Sequence, residues 1–234
     1  MNENQHSHGE QGRREVVVGI GPVSIQDIVD VARHDAPVRI SDDALEAIAE
    51  TSARIRELAG FERPVYGVST GFGALATRHI PQNMRRQLQR SLIRSHAAGS
   101  GPEVEREVIR ALMLLRLSTL ATGRTGVRPE VAQAYAGMLS AGITPVVHEY
   151  GSLGCSGDLA PLAHCALAVI GEGPVRTRDG ELTTSAEALS EAGLEPVELA
   201  EKEGLALING TDGMLGQLVL AISDLDRLMR LADL

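Results

Sequence analysis

Tryptophan is absent, and phenylalanine, tyrosine and tryptophan together make up 2% of the chain. A core with so few rings has to be built from Leu, Ile, Val, Ala and Met, which points to helices packed on helices. Cysteine is also scarce. Cys155 and Cys165 are the only two, too few for a disulfide scaffold and at a spacing that fits no zinc pattern, so both are read as reduced thiols and no metal is expected. Positive charge is in deficit, with 22 basic against 31 acidic residues and a net charge of -9, which argues against binding nucleic acid through its phosphates. No apolar run approaches the length needed to span a bilayer, and the first residues, MNENQHSHGEQGRR, lack the hydrophobic stretch of a signal peptide. The expectation is a cytoplasmic protein with no membrane contact. The sequon Asn209-Gly210-Thr211 is then read as empty.

What the chain has in quantity is apolar residues, 43% of 234, ample for a packed core. Residues 1 to 14 are polar and read as a flexible tail, with His6 and His8 in it. Glu15 to Ile20 is β-branched and closed by Gly21-Pro22, as for an edge strand. Leu45, Ile48, Ala49, Ser52, Ile55 and Leu58 predict a helix opened by Ser41 and closed by Gly60. Further helices are predicted over about 83 to 97 and 103 to 121, the second with Leu112, Leu114, Leu115 and Leu117 on nearly every side, as in the middle of a bundle. Pro129 suits the first turn of another helix, ending near Gly142. Asp179-Gly180 between Val175 and Leu182 predicts a small hairpin. Thr211 opens a last helix with Leu215, Leu218, Val219, Ile222, Leu225, Leu228 and Met229 on one face. A helix so apolar at the end of a chain looks cut, its partners lying further on. There is no internal repeat and no linker between independent domains.

Two loops are candidates for chemistry. PVYGVSTGFGALA, Pro64 to Ala76, carries Gly67, Gly71 and Gly73 but neither phosphate-loop spacing. Its Tyr66, taken alone, reads as a tyrosine packed at a loop base. The second is GSLGCSGDLAPLAH, Gly151 to His164, where small residues run into an apolar helix. Gly154-Cys155-Ser156-Gly157 is not a G-x-S-x-G elbow, and His164 lies two turns up the same helix, too far for a Ser/His/Asp triad. A nucleophilic Cys155 at a helix N-terminus is one use of the loop. Another uses all of it. If a tight turn brings the Gly157 amide nitrogen onto the Cys155 carbonyl carbon, a five-membered ring closes with loss of water. Dehydration of Ser156 then leaves an exocyclic methylidene, and only glycine leaves that approach unobstructed.

That loop, with YGVSTGFGALATRH from Tyr66, SLIRSHAAG, TGRTGVRPE and LALINGTDGML, resembles the ammonia-lyases that carry a 4-methylideneimidazol-5-one group, in particular those acting on histidine. The five ordered segments cover most of Pro64 to Leu215. The resemblance implies a mainly α fold: a tail at 1–14, an N-terminal α+β region with short strands and the tyrosine loop at 15–110, and from 111 to 234 the start of an elongated helical bundle, truncated at the C-terminus, with the ring-forming loop at 151–158. It also implies non-oxidative loss of ammonia from L-histidine to give trans-urocanate, a homotetramer, and no cofactor beyond the ring built from Cys155, Ser156 and Gly157.

By the same resemblance Tyr66 is the base that removes the β-proton, Asn209 holds ring and substrate, and Asp158 and Gly73 stand behind them. A phenol is a weak base at neutral pH, so the site has to lower its pKa or supply positive potential. Ser95 and His96 match the Ser-His pair of histidine-specific members, where a polar pocket discriminates better than an apolar one. Without the family, His96 would read as a structural histidine. The sequence departs from the common pattern at Cys155, where alanine is usual, at Ser69 for asparagine and at Asp212 for glutamine. The later bundle helices, with further tyrosine, arginine, phenylalanine and glutamate positions contributed across three subunits, are not in it, so the 234 residues alone are expected to be inactive. The competing readings are a lyase or aminomutase acting on phenylalanine or tyrosine, a non-catalytic fragment with an uncyclised loop, and a cysteine hydrolase.

Overall fold

The computed structural model describes residues 14–154 and 157–234. The fold opens with β1 (Val16–Val18), α1 (Ile25–His34) and β2 (Val38–Ile40). The strands pair in parallel, Val16 with Val38 and Val18 with Ile40. These four side chains point into the core while Val17 and Arg39 point out, the period-two pattern of a half-buried strand. A parallel pair needs a crossover, and α1 supplies it. Its start is a reciprocal cap: the Ser24 hydroxyl accepts from the Asp27 amide at 3.0 Å, and the Asp27 carboxylate accepts from the Ser24 amide at 3.2 Å. Then α2 (Asp42–Ala59) fills the helix read between Ser41 and Gly60, but neither residue makes the cap interaction expected of it. The Ser41 hydroxyl bonds the Asp43 carboxylate instead of the backbone, and Gly60 stays right-handed.

After α3 (Arg85–His96) and β3 (Ser100–Glu103) comes the central helix α4 (Arg106–Ala121). Leu112, Met113, Leu114, Leu115, Leu117 and Leu120 are all buried, each contributing roughly 1.5–3 kcal/mol by leaving water. This helix runs unbroken across residues 110 and 111, as its apolar pattern over 103 to 121 predicts. Around it lie α5 (Pro129–Ala141), β4 (Thr144–Pro145), β5 (His148–Tyr150), α6 (Leu159–Val169), β6 (Pro174–Arg176), β7 (Leu182–Thr184), α7 (Ser185–Glu191), α8 (Glu203–Ile208) and α9 (Asp212–Ala232). Helix α4 packs against α9, α1, α5 and α2. Pro129 takes the first turn of α5, and Gly142 ends it at φ 79°. β6 and β7 form the hairpin expected around Asp179-Gly180, with β4 along its edge, and β3 pairs antiparallel with β5. The architecture is mainly α, with strands of two to four residues.

The last helix corrects one expectation. The helical stretch Glu203–Ala232 reaches a mean hydropathy of 1.4 over its best 18 residues, so by length and composition alone it passes as a bilayer-spanning segment. Val219 and Leu220 pack inward, while Arg33 on α1 pairs with Asp224. Leu218, Ile222, Leu225, Leu228 and Met229 are exposed.

Candidate active site

The site begins at the boundary between the 151–158 loop and α6. Cys155 and Ser156 lie outside the described residues; Gly157 and Asp158 are buried. The Asp158 amide donates to the Gly210 carbonyl at 2.7 Å. Its carboxylate is saturated: Oδ1 accepts from the Ser152 hydroxyl at 2.6 Å, and Oδ2 from the amides of Gly213 at 2.9 Å and Met214 at 3.1 Å. Those two amides belong to the first turn of α9 and have no partner within the helix. Asp158 therefore caps α9 across space. Thr211, the residue expected to cap it, stands at the right position without a side-chain bond.

Gly157 is held against the other strand of this junction. A β-carbon there would lie 3.4 Å from the Asn209 Oδ1 and 3.4 Å from the Gly210 carbonyl oxygen, so the side-chain amide of Asn209 lies within van der Waals contact of that position. Behind it, Arg116 on α4 donates to the carbonyls of Ala206 at 3.0 Å and Asn209 at 3.2 Å, and pairs with Asp212. Both members of the pair are buried. Gly210 leaves the room this requires: a β-carbon there would fall 1.6 Å from Arg116 Nη2.

His96 ends α3. Its Nδ1 lies 2.8 Å from the Leu92 carbonyl and 3.1 Å from the Ser95 hydroxyl. A carbonyl only accepts, so Nδ1 carries the proton, and the neutral ring keeps its lone pair on Nε2. The Ser95 hydroxyl donates to the same carbonyl at 2.8 Å, which leaves the outward chemistry of the pair to His96.

Tyr66 is half-exposed and meets Phe72 edge-on, with ring centroids 6.2 Å apart. Its loop is tied down from inside: the Ser69 hydroxyl accepts from the Val65 amide at 2.9 Å, and Thr70 bridges Gly67 and Gly71. Gly67 has φ 74°, and a β-carbon there would lie 2.9 Å from Leu205 on α8 and 3.7 Å from Lys202 Cδ. Gly73 begins a short 3-10 turn, Gly73–Leu75, at φ 53° with open space around it.

A model of the family described as "Aromatic amino acid lyase" matches residues 23–234. The chain belongs to the aromatic amino acid lyase family. It is 61% identical over 219 residues to a histidine ammonia-lyase of Streptomyces avermitilis, a match covering 94% of this chain and 43% of that protein. The crystal structure of histidine ammonia-lyase from Trypanosoma cruzi superposes with a TM-score of 0.86 at 34% identity, over 94% of this chain and 42% of that one. A tyrosine aminomutase from Streptomyces globisporus superposes at 0.83 with 39% identity, over 90% and 39%. The chain thus spans well under half the length of these relatives.

In this aromatic amino acid lyase chain, Gly157 lies beside Asn209 and Asp158 bonds its neighbour Gly210, and Tyr66 and His96 join the same frame at one remove. Tyr66 does so through Gly67, which packs against Leu205 of α8. His96 does so through Gly99, whose Cα is 3.4 Å from the β-carbon position of Gly151. Two clefts of about 380 and 520 Å³ lie elsewhere, along Arg86 and the 194–200 segment. Sequence reasoning missed Arg116, Ser152 and Lys202. The signal for Arg116 was a charge inside a helix apolar on every side. Lys202 is the chain's only lysine, half-buried at φ 74°, and burial lowers its pKa.

Proposed function

We propose that the protein to which this chain belongs is a histidine ammonia-lyase, which eliminates ammonia from L-histidine to give trans-urocanate. The observation carrying this reading is the junction of Gly157 and Asp158 with Asn209. Ring formation needs a glycine with nothing on its α-carbon at the attacking position, and Gly157 is such a residue, buried with the Asn209 amide oxygen beside it. Cys155, Ser156 and Gly157 would form the 4-methylideneimidazol-5-one, and Asn209 and Asp158 would hold it. That group supplies an electrophile that makes the amine a competent leaving group.

The chain's own residues supply the rest. Tyr66 takes the β-proton at its phenol oxygen. The Nε2 lone pair of His96 accepts from the N–H of the substrate imidazole, a contact that phenylalanine lacks, and Ser95 stands at the Nδ1 side of the His96 ring. Asp158 fixes the start of α6, whose positive N-terminal end faces the ring loop. Gly73 gives the Tyr66 loop its left-handed turn. The reading includes a cytoplasmic homotetramer in which the exposed apolar face of α9 is covered.

Intact mass of the purified chain, with the deficit localised by fragmentation, tests the first step. Loss of two waters confined to 155–157, absent from S156A, is the expected result. An unmodified mass in the whole protein would sink the assignment. The whole protein should favour L-histidine over L-phenylalanine by at least about a hundredfold in kcat/KM, and over L-tyrosine as well; the reverse preference for L-tyrosine would assign it to the tyrosine-specific members.

A further inference from the structure

Three residues past His96 the chain enters a grip made by two histidines. The Gly99 amide donates to His164 Nε2 at 3.1 Å. An amide cannot accept, so this Nε2 carries a lone pair and the proton of the neutral ring is on Nδ1. Two residues on, the Gly101 carbonyl lies 2.9 Å from His148 Nδ1, which therefore donates. The two rings stand 6.0 Å apart. Glycine fits both gripped positions: a β-carbon on Gly99 would lie 3.0 Å from His164 Nε2, a tight contact, and one on Gly101, at φ 87°, would clash with the Tyr150 ring at 2.5 Å.

The grip joins two parts of the candidate site. Gly99 continues from α3 just after His96, and it packs against Gly151, the first residue of the ring-forming loop. His164 stands on α6, the helix that this loop enters. We propose that His164 is a positioning residue for His96: by holding the Gly99 amide, its Nε2 fixes the end of α3 against the 151–158 loop. The role given to His96 rests on the proposed function, whereas the grip is a property of the fold.

The grip requires an uncharged His164. Burial and then the neighbouring His148 lower its pKa below the ordinary 6.5. The other charged groups and histidines on elements packed against α6 are Arg85 of α3, bonded to the Ile80 and Ala59 carbonyls, Arg86, paired with Glu198, Arg90 and Arg94, paired with Glu172, His96, Glu203 of α8, paired with Arg128, Glu187 of α7, bonded by Thr183 and Thr184, Glu191 of α7 and Glu130 of α5. Of these and His148, only His148 bears on His164.

Nitrogen-15 NMR of the 234-residue chain tests the proposal without using turnover. The wild type should show a coupling through the hydrogen bond between the Gly99 and His164 Nε2 nitrogens. The Gly99 amide signal should move with His164 as it titrates, at a midpoint below pH 6.5. In H164Q, whose side-chain oxygen can accept, Gly99 exchange and the His96 ring-nitrogen signals should stay close to wild type. In H164F, Gly99 exchange should speed up by about tenfold, and the His96 Nδ1 and Nε2 signals should shift. A folded H164F chain with unchanged Gly99 exchange and unchanged His96 nitrogens overturns the proposal. If H164F does not fold, the wild-type titration decides, and a Gly99 amide indifferent to His164 overturns it equally. Failure of the whole protein to turn over L-histidine would overturn the proposed function and leave the grip standing.

Discussion

Asp158 and Gly213 stand 55 residues apart and share a 2.9 Å hydrogen bond, carboxylate to amide, that ties the N-terminus of α6 to that of α9. Two helix starts thus converge on one buried anion, which the positive ends of both helices favour. Removing the carboxylate in D158A leaves the Gly213 and Met214 amides and the Ser152 hydroxyl without it. A loss of about 1–3 kcal/mol follows, read as a lower denaturant midpoint at an unchanged m-value. S152A should cost less, because it removes only one of the three donors to the carboxylate. Equal stability of D158A and wild type would show that water replaces the cap.

Two glycines of the candidate site, Gly210 and Gly73, should respond unequally to alanine. At Gly210 a β-carbon would fall on the guanidinium of Arg116 and 2.5 Å from Asp212 Oδ2, so G210A has to move a buried ion pair and should cost about 3 kcal/mol or more. At Gly73 nothing lies within 4 Å. There the cost reduces to the left-handed backbone, about 1–2 kcal/mol. Thermal melts of the two variants check the ordering.

Arg116 should be the most sensitive charged residue of the core. R116M deletes donors to Ala206 and Asn209 and leaves Asp212 buried without its partner, at a cost of about 3–5 kcal/mol. The double variant R116M/D212L should recover part of that loss, since no uncompensated charge remains. Additive single effects in this cycle would show that the pair is not coupled.

The periodic elements were legible because their signals are local. The bounds of α2, Pro129 at the start of α5, and the hairpin at Asp179-Gly180 all follow from spacing and turn residues. Helix α1 was legible in principle, in Ser24-x-x-Asp27, but its ten residues between two short strands carry little pattern. The caps of α2 and α9 were not legible. Ser41 bonds a nearer carboxylate, and α9 is capped by Asp158, a residue from another helix start that no local rule can find. Tyr66, His96 and Asn209 were singled out through a resemblance, not through spacing. What holds them, Arg116 under Asn209 and His164 under Gly99, depends on contacts across 65 to 93 residues. Such contacts exist only once the helices pack.

Strong acid should loosen the α1–α4 contact at Asp35. Burial alone would raise its pKa, but Arg106 at 2.7 Å, Arg110 at 3.1 Å and Arg178 at 3.9 Å outweigh it and hold the carboxyl below its ordinary 3.8. A folded-state pKa below the unfolded one gives stability that is present above pH 3.8 and lost as pH falls through the folded value. D35N should therefore be less stable than wild type at neutral pH, with the gap closing below pH 3.8. A gap that stays constant down to pH 2 would show that the carboxylate's charge plays no part.

Cys165 should behave as a buried core residue, not as a reagent. Burial first, and then the Asp212 carboxylate, pushes its thiol from 9.0 up to about 12, against a smaller opposing effect of Arg116. At pH 8 the folded thiolate fraction is then about one in ten thousand, against about one in ten unfolded. Alkylation of Cys165, followed by peptide mapping, should track opening of the core around α6 and speed up sharply across the denaturant transition. The linkage has the opposite sign to that of Asp35. A folded pKa above the unfolded one gives stability that is full below pH 9 and lost as pH rises toward 12, so C165A should blunt the alkaline loss of stability. Rapid alkylation of Cys165 in native buffer would show that solvent reaches this part of the core and would contradict the packing around Arg116.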